Sequence, residues 1–519
     1  MADTSGIPAD IIFCNANIIT MDEKRPGAEL VAVSGNKIIG VGGNDDLENF
    51  KGANTKIIDC GSQTIIPGFN DAHCHPLSFA ATLLYVDCSP SKAANISEIQ
   101  ALIRSRAEQT PPEKWVRAAK YDEKYLDEKR PPTRWELDEA SPDNPVILIH
   151  YTGNGCVLNS LALKHTGIYS ISADPQGGHT GREPDSREPN GVITGRNELV
   201  EKRVPGIDQE ELQAYIKLAT GQLLSFGITS VQDTGWNNNL RHWQTLKRLK
   251  DNGQLPVRVS MMVGTNALAE FQDAGLSMET GDCDLRIGGI KIALDESTGN
   301  PNPPQEELDY YAFKAHEAGF RIAFHVHDIV ALETTLASLE YICKKIPRPD
   351  HRHRLEHCAI CPPGLMRKLK ATEAMVITQP AFLLYFGESY IDAVPSKKLN
   401  WLFPMGSLSS LGLKTAASSD SPMVPCNPLI GISAAVARKT ETDKIIAPLE
   451  AVSPLEALRM YTLWGAYASF EENIKGSISP GKLADLVVLS EDPTQTAPES
   501  IPGIKFILTM IDGKIAWQA

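Results

Sequence analysis

The sequence PGFNDAHCHP at residues 67–76 decides the predicted fold. It follows Thr64-Ile65-Ile66, a short β-branched run that stops at Pro67-Gly68 and is typical of a strand. Side chains alternate along a strand, so His73 and His75 lie on one face and present two imidazoles to a single ion. Neutral imidazole suits zinc and other borderline divalent metals. A lone His-x-His is more often a satisfied polar pair, so the metal interpretation depends on further ligands elsewhere in the chain.

Composition indicates a soluble globular protein. The 519 residues, 42% hydrophobic and 22% charged, are enough for a large barrel with accessory domains. A formal net charge of −14 without any basic run argues against nucleic-acid binding. The chain shows no membrane-spanning apolar run and no signal peptide, and its ten cysteines have no disulfide spacing. We therefore expect a cytoplasmic protein with no nucleic-acid or membrane partner, in which Cys358 and Cys361 are buried thiols.

Both ends of the chain have the pattern of strands and lack a helical period. A hairpin is predicted about Ser34-Gly35-Asn36, and a closing turn at Asp512-Gly513-Lys514. Neither end is large enough to bury a core alone, so residues 1–66 and 475–519 are predicted to form one β-sandwich together. The predicted strands are 11–19, 29–33, 37–41, 56–59, 485–489 and 504–509.

Residues 97–220 are predicted to form an inserted α/β segment. Charged helical stretches alternate there with proline and glycine pairs. Ser97 and Gln100 have the spacing of a capping box, which predicts a helix over 97–109, and a second helix is predicted over 133–140.

Residues 67–96 and 221–474 have the alternation of a (β/α)8 barrel. Short apolar strands recur at roughly the interval of a βα unit. With the strand of His73 they number eight, and eight parallel strands with intervening helices form a TIM-like barrel whose reactive groups lie at the carboxyl ends of the strands. The other seven predicted strands are 228–233, 257–263, 289–294, 321–327, 353–357, 374–379 and 415–420.

Ionisable residues stand at the ends of these otherwise apolar strands, where a parallel-sheet interior favours Val or Ile. A barrel core absorbs one odd histidine, but this many polar groups at one rim are hard to explain as packing. They predict a metal site with six candidate ligands: His73, His75, Lys291, His325, His357 and Asp420.

This order of residues resembles the amidohydrolase superfamily: His-x-His on strand one, Lys on four, His on five and six, Asp on eight. The flanking words agree, namely PGFNDAHCHP at 67–76, RLEHC at 354–358, SSDSP at 418–422 and GSISPGKLADLVVL at 476–489. Gln379-Pro380 and NSLALKHTGI at 159–168 resemble the branch that includes N-substituted formamide deformylase. The resemblance covers essentially the whole chain.

The resemblance implies two divalent ions, zinc or another transition metal. On that reading His73, His75 and Asp420 hold one ion, while His325 and His357 hold the other. It also implies that Lys291 takes up carbon dioxide to give a carbamate that bridges both ions, which needs a neutral amine. The alternative left open is an unmodified Lys291 paired with Asp295 or Glu296. Asp420 is the expected catalytic acid–base, accepting a proton from water and returning it to the leaving nitrogen.

Four residues are candidate substrate contacts: Asn154, His327, Gln379 and Phe382. Gly153-Asn154 replaces the Gly-His pair usual in this branch, and the segment 399–404 lacks its usual Arg, so the substrate of the branch does not transfer to this chain. His327 alternates in phase with His325, and the word HVHD at 325–328 stands where HAxGD is usual. For His327, a role as metal ligand or as core residue stays open. His179 is expected to be an ordinary loop histidine.

The predicted function is metal-dependent hydrolysis of an amide-like carbon–nitrogen bond in a small molecule. Hydrolysis of esters, lactones or carbamates, or deamination of a ring, needs the same parts and stays open. A non-catalytic scaffold on the same fold is the alternative from another class, although such proteins lose ligands and this chain keeps all six. A homodimer or higher homo-oligomer is left open.

Overall fold

The computed structural model describes residues 8–83, 85–153, 155–169, 174, 178–195, 200, 203–205, 209–294 and 302–519. The chain divides into two units, Met1–Pro76 with Ala219–Ala519, and Leu77–Leu218. Asn154, Asp295 and Glu296 lie outside the described residues.

The strands are numbered β1 to β24 in chain order. They are β1 Ile11–Cys14, β2 Asn17–Ile19, β3 Gly27–Ala28, β4 Leu30–Ser34, β5 Lys37–Gly42, β6 Lys56–Asp59, β7 Thr64–Pro67, β8 Phe69–Cys74, β9 Val86–Asp87, β10 Val116–Tyr121, β11 Val146–His150, β12 Gly155–Leu158, β13 Gly178–Arg182, β14 Pro189–Gly195, β15 Ile228–Asp233, β16 Arg258–Gly264, β17 Leu285–Ile292, β18 Ile322–Val326, β19 Arg354–His357, β20 Met375–Thr378, β21 Thr415–Ala417, β22 Leu486–Leu489, β23 Phe506–Ile511 and β24 Lys514–Gln518.

The helices are numbered in the same way, and none in the described ranges is long and apolar enough to cross a membrane. They are α1 Leu47–Phe50, α2 Pro76–Thr82, α3 Ile96–Ala107, α4 Arg134–Ala140, α5 Ser160–Thr166, α6 Gln209–Ser225, α7 Leu240–Asp251, α8 Leu268–Asp273, α9 Gln305–Glu317, α10 Ile329–Lys345, α11 Pro363–Ala371, α12 Phe382–Tyr385, α13 Gly387–Ala393, α14 Ser396–Leu399, α15 Met405–Ser410, α16 Pro428–Ala437, α17 Pro454–Met460 and α18 Leu463–Ala468.

Two sheets at the chain ends share one core. One has the order β5-β4-β1-β6 and the other β24-β23-β22-β7-β2-β3, so the second combines strands from both termini. Phe13, Val31 and Val33 of the first sheet pack in one buried cluster with Leu486 and Met510 of the second. A small β segment gains a core in this way, as the sequence predicts.

One predicted strand is divided in the structure, and the two consecutive strands around Gly68 enter different sheets. The prediction of one strand over 11–19 is wrong, because the chain turns at Asn15, with φ of 52°, and β1 and β2 enter different sheets. Likewise β7 pairs with β2 and β22, whereas His73 belongs to the separate barrel strand β8. Gly68 makes this change of sheet possible, because a Cβ there would collide with the Thr229 side chain.

The unit Leu77–Leu218 contains a mixed sheet of order β13-β14-β12-β11-β10-β9. Its helix α3 begins at Asn95, whose side chain accepts a hydrogen bond from Glu98 N at 2.9 Å. The capping box predicted at Ser97 is therefore wrong by two residues. The helix predicted over 133–140 is present as α4, with Thr133 and Glu136 forming its capping box.

Eight parallel strands form the remaining sheet, in the order β21-β20-β19-β18-β17-β16-β15-β8. The two end strands meet just beyond their last residues: Asp420 N donates to His73 O at 2.8 Å, and His75 N donates to Ser421 O at 2.8 Å. The sheet is thus a nearly closed (β/α)8 barrel, and the predicted fold class is confirmed.

Candidate metal centre

The barrel brings the predicted polar side chains to one rim. His73 and His325 are the penultimate residues of β8 and β18, Lys291 is penultimate in β17, and His357 is the last residue of β19. Asp420 follows β21 by three residues. Because the strands are parallel, these carboxyl ends lie on the same side of the barrel.

His73, His75 and Asp420 form the first group. Asp420 Oδ1 lies 3.3 Å from Nε2 of His73 and 3.0 Å from Nε2 of His75. Burial opposes ionisation of Asp420, but the neighbouring His73 holds the pKa of that carboxyl well below its usual range. One anionic oxygen therefore faces two imidazole nitrogens.

His325, His327 and His357 form the second group. Nε2 of His357 lies 3.1 Å from Nδ1 of His325, and each of the three rings offers a nitrogen within 4.8 Å of the others. Burial lowers the pKa of His325 and His357 well below the usual range and that of His327 to about 4. All three imidazoles are therefore neutral near pH 7, the form in which histidine binds metals.

The two groups are continuous. His73, His357 and Asp420 also offer ligand atoms within 4.8 Å of one another, and the ring centroids of His73 and His357 are 4.9 Å apart. The structure thus brings together five predicted ligands around one space.

Lys291 points its amine into this neighbourhood. Its Nζ is buried and has no hydrogen-bond partner among the described residues. Burial lowers the pKa of Lys291 to about 8, even though Glu356 and Asp420 favour the charged form. A buried polar atom without a partner costs free energy, so this amine is suited to a group that completes its bonding.

Glu356 supports His73 from behind. Its Oε2 lies 2.5 Å from Nδ1 of His73, which directs Nε2 of that ring towards Asp420. Arg354 donates to both carboxylate oxygens of Glu356 and to Oε1 of Gln232, the latter at 2.5 Å. Although burial opposes ionisation of Glu356, Arg354 and His73 hold its pKa well below the usual range. A carboxylate behind a ligating histidine fixes its tautomer and orientation.

Gln379, a predicted substrate contact, holds His357 in the structure. Its Oε1 accepts from Nδ1 of His357 at 2.7 Å, and its Nε2 donates to Ser418 Oγ at 2.9 Å. Both ends of the buried amide are therefore engaged with the protein, and Nε2 of His357 is left to face His325. Phe382, also a predicted substrate contact, is buried with its ring nearly parallel to that of His357, 6.3 Å between centroids.

The backbone is unusual at two candidate ligands. His357 has φ of 70° and Asp420 has φ of 57°, a left-handed conformation that non-glycine residues rarely adopt. Strict alternation would place His357 on the face of β19 opposite to Glu356. The left-handed residue at the strand end lets both side chains reach the site, and such strain is typical of functional positions.

Other candidates lie apart from this space. The expectation of a loop position for His179 is wrong, because this residue lies in strand β13 and pairs with Thr194 of β14. Its side chain is exposed, and its Nδ1 lies 2.9 Å from Oδ2 of Asp174. Asp122, Glu123 and His150 form a separate cluster of ligand atoms, in which Nε2 of His150 lies 3.1 Å from Oε2 of Glu123. Cys358 and Cys361 are buried, as the sequence predicts. The prediction for Asn154 falls outside the described residues.

The sequence interpretation missed Glu356, Arg354 and Gln232 as supporting residues. Their only signal is polarity inside strands that otherwise need apolar residues, with Arg354 and Glu356 two apart on one face of β19. That signal marks an unusual strand interior, but it does not say which histidine the carboxylate contacts.

Imidazole nitrogens, one carboxylate and a buried amine that has no hydrogen-bond partner among the described residues form a donor set that fits borderline divalent metals. A (β/α)8 barrel with this set at its carboxyl rim defines a metal-dependent hydrolase class. Residues 56–516 match the model of the Amidohydrolase family, and the chain belongs to that family. The predicted enzyme class, an amidohydrolase, is confirmed.

The relatives span nearly the whole chain. The protein is 28% identical to N-substituted formamide deformylase of Arthrobacter pascens, over 98% of each chain. It is 27% identical to Protein LONG AFTER FAR-RED 3 of Arabidopsis thaliana, over 98% of this chain and 92% of the other. An uncharacterized metal-dependent hydrolase from Pyrococcus horikoshii shares its fold, with a TM-score of 0.78, 23% identity and coverage of 94% of this chain and 99% of the other.

Proposed function

We propose that this protein hydrolyses an amide-like carbon–nitrogen bond of a small molecule with the help of two divalent metal ions, zinc being the first choice. The observation that carries the proposal is the convergence of His73, His75, His325, His357 and Asp420 at the barrel rim, within reach of one space. The likeness to a formamide deformylase over the full length supports an amide-like bond.

His73, His75 and Asp420 would hold one ion, and His325 and His357 the other. Metal ions in such sites polarise a carbonyl and provide a water that is a nucleophile near neutral pH. The protein contributes fixed ligand directions, because Glu356 holds His73 at 2.5 Å and Gln379 holds His357 at 2.7 Å.

Asp420 is the proposed acid–base residue. Its carboxylate is anionic, and its Oδ1 is already positioned between the two imidazoles of His73 and His75. It accepts the proton of the attacking water and delivers it to the leaving nitrogen, so that an amine departs instead of an amide anion.

Lys291 is proposed to carry the bridge. A neutral amine adds to carbon dioxide, forming an N–C bond and releasing one proton, and the product is a carbamate whose single negative charge is shared by two oxygens. Two features support this reaction: burial lowers the pKa of Lys291 to about 8, which raises the fraction of neutral amine, and its Nζ has no hydrogen-bond partner among the described residues. The bridge would neutralise part of the charge of two neighbouring cations.

A turnover screen tests the proposal. N-formyl and N-acyl amines, lactones and aminopurines are offered to protein whose metal content is measured on the same sample. We expect turnover of the amides that disappears on chelation and returns with the divalent ion. Turnover of lactones or aminopurines alone would replace the amide assignment with ester hydrolysis or deamination, and absence of bound metal would refute the centre.

A further inference from the structure

His327 has the same position relative to strand β18 as His75 has relative to strand β8. In β8, His73 is penultimate, the buried Cys74 ends the strand and His75 follows. In β18, His325 is penultimate, the buried Val326 ends the strand and His327 follows. Because residues two apart share a face, both pairs present two imidazoles to the same rim.

The contacts of His327 confirm that its ring lies at the centre. It stacks on His357 with 4.2 Å between centroids and 26° between planes, and it lies 4.9 Å from His325. A nitrogen of His327 is within 4.8 Å of the ligand nitrogens of both neighbours.

The backbone around His327 is anchored on two sides. Ile360 N donates to His327 O at 3.2 Å, which ties the turn after β18 to the loop after His357. Asp328 accepts a hydrogen bond from Ala331 N at 2.8 Å and caps α10. The ring is therefore presented at the rim by fixed backbone on either side.

We propose that His327 is a third imidazole ligand of the ion held by His325 and His357. The inference rests on the proposed metal centre and assigns a ligand beyond its five. Zinc–nitrogen bonds of about 2.0–2.1 Å place neighbouring ligand nitrogens roughly 3.4 Å apart, so the rings need to shift by less than about 1 Å to close on one ion. Three imidazoles leave one tetrahedral position for the bridge or the substrate.

The competing explanation is that His327 only stacks on His357 and holds it in place. The two roles differ in one atom, since stacking needs an aromatic face and ligation needs a nitrogen. His327→Phe keeps the face and removes the nitrogen, whereas His327→Ala removes both.

The direct test uses the full chain labelled with 15N-histidine and loaded with 113Cd2+. We expect a one-bond cadmium–nitrogen coupling on three histidines of the second group, assigned to His325, His327 and His357 by single substitutions. Coupling at His325 and His357 with none at His327 would overturn the inference while leaving the proposed function intact. Absence of coupling at all three would overturn both.

A titration of metal-free protein with Zn2+ against a chromophoric chelator gives a second readout. We expect His327→Ala and His327→Phe both to weaken one of the two zinc equivalents by more than about tenfold, as loss of a ligand or its close support does. His179→Ala, a substitution at an exposed histidine of strand β13, serves as the control with wild-type affinities. Wild-type affinity in His327→Phe would show that only the stacked ring matters and would refute the ligand assignment.

Discussion

Histidine residues lie at both ends of strand β19, and they make different contacts there. His353 directly precedes the strand and contacts His316, while His357 ends it and faces His325. The amino-end cluster is buried and the carboxyl-end cluster is partly buried, and both include a His-x-His word, at 351–353 and at 325–327.

At the amino end, every ring nitrogen has an ordinary partner. His353 Nδ1 accepts from Ile322 N at 2.9 Å, and His353 Nε2 lies 2.9 Å from His316 Nδ1. His316 Nε2 bonds Ile346 O at 2.8 Å, and His351 Nε2 bonds Thr372 O at 2.9 Å. His351 Nδ1 accepts from His353 N at 2.9 Å. These rings join loops to the barrel and leave no nitrogen for an ion.

At the carboxyl end, three imidazoles share one space, and His325, His327 and His357 each offer a nitrogen within 4.8 Å of the others. Gln379 occupies Nδ1 of His357, so that ring meets Nδ1 of His325 with Nε2, and both rings are neutral. Burial and a His-x-His spacing therefore do not by themselves indicate a metal site. The proposed site differs from the amino-end cluster because its imidazole nitrogens converge on one another and on the carboxylate of Asp420.

The largest expected effect is a difference in metal content and turnover between substitutions at the two ends of β19. His357→Ala should lose one ion and reduce turnover by more than the 10- to 100-fold that loss of an outer supporting residue costs. His353→Ala should retain both ions while lowering the free energy of unfolding by about 1–3 kcal/mol, because the buried Ile322 N–H loses its acceptor. Elemental analysis and urea unfolding on the same preparations check this. If His353→Ala were the variant that lost metal, the assignment of the two ends would be wrong.

The next effect concerns Asp420. Asp420→Asn keeps an oxygen near His73 and His75 but cannot accept a proton, so we expect turnover to fall by about 10²- to 10⁴-fold. Metal content should fall much less. Steady-state kinetics and elemental analysis measure turnover and metal content. Parallel losses of both would show that Asp420 acts only as a metal ligand.

A smaller effect, and a reversible one, is expected at Lys291. Lys291→Ala should lose one ion, and formate, acetate or propionate in solution should partly restore turnover by occupying the vacated space. Lys291→Arg should not support turnover, since a guanidinium stays protonated and takes up no carbon dioxide. Near-normal rate and two ions in Lys291→Ala without added acid would show that Lys291 is no bridge.

The smallest effect is a pH dependence of stability from the amino-end cluster. Burial lowers the pKa of His316 and His351, and that of His353 lies well below the usual range. The unfolded chain binds protons below about pH 6.5 while these native rings do not, so the free energy of unfolding falls as pH drops from about 6.5. Each ring contributes at most about 1.4 kcal/mol per pH unit.

Measurements on metal-free protein separate the pH dependence of the free energy of unfolding from any effect of metal release. His351→Asn keeps an acceptor for His353 N but cannot titrate, so its stability should fall less steeply with acid than that of the wild type. Urea unfolding between about pH 7 and 5 measures both slopes. Equal slopes would show that His351 does not contribute to the pH dependence of stability.

The barrel and its rim could be predicted from the sequence because they depend on local signals. Apolar runs mark strands, and an ionisable residue at the end of such a run stands out, as Asp420 and His325 do. The change from sandwich to barrel after residue 66 also follows from the sequence, but the need for glycine at position 68 does not, since it depends on Thr229 more than a hundred residues away.

The roles of Gln379 and Glu356 were hidden for the same reason. Gln379 bonds Ser418, 39 residues on, and His73 meets Glu356 across 283 residues. Gln379 and Ser418 follow the adjacent strands β20 and β21, whereas His73 and Glu356 come from β8 and β19, which are not adjacent, so the closed barrel is needed to bring each pair together. A sequence shows which residue types are present. The fold determines which histidine nitrogen each supporting side chain contacts.

The most direct test of the account is the number of ions that the chain binds. Wild-type protein prepared with excess divalent metal and bicarbonate, then freed of loose metal, should contain two ions per chain by elemental analysis. One ion at saturation would contradict the two-ion centre and leave a mononuclear site, and none would contradict the metal centre altogether.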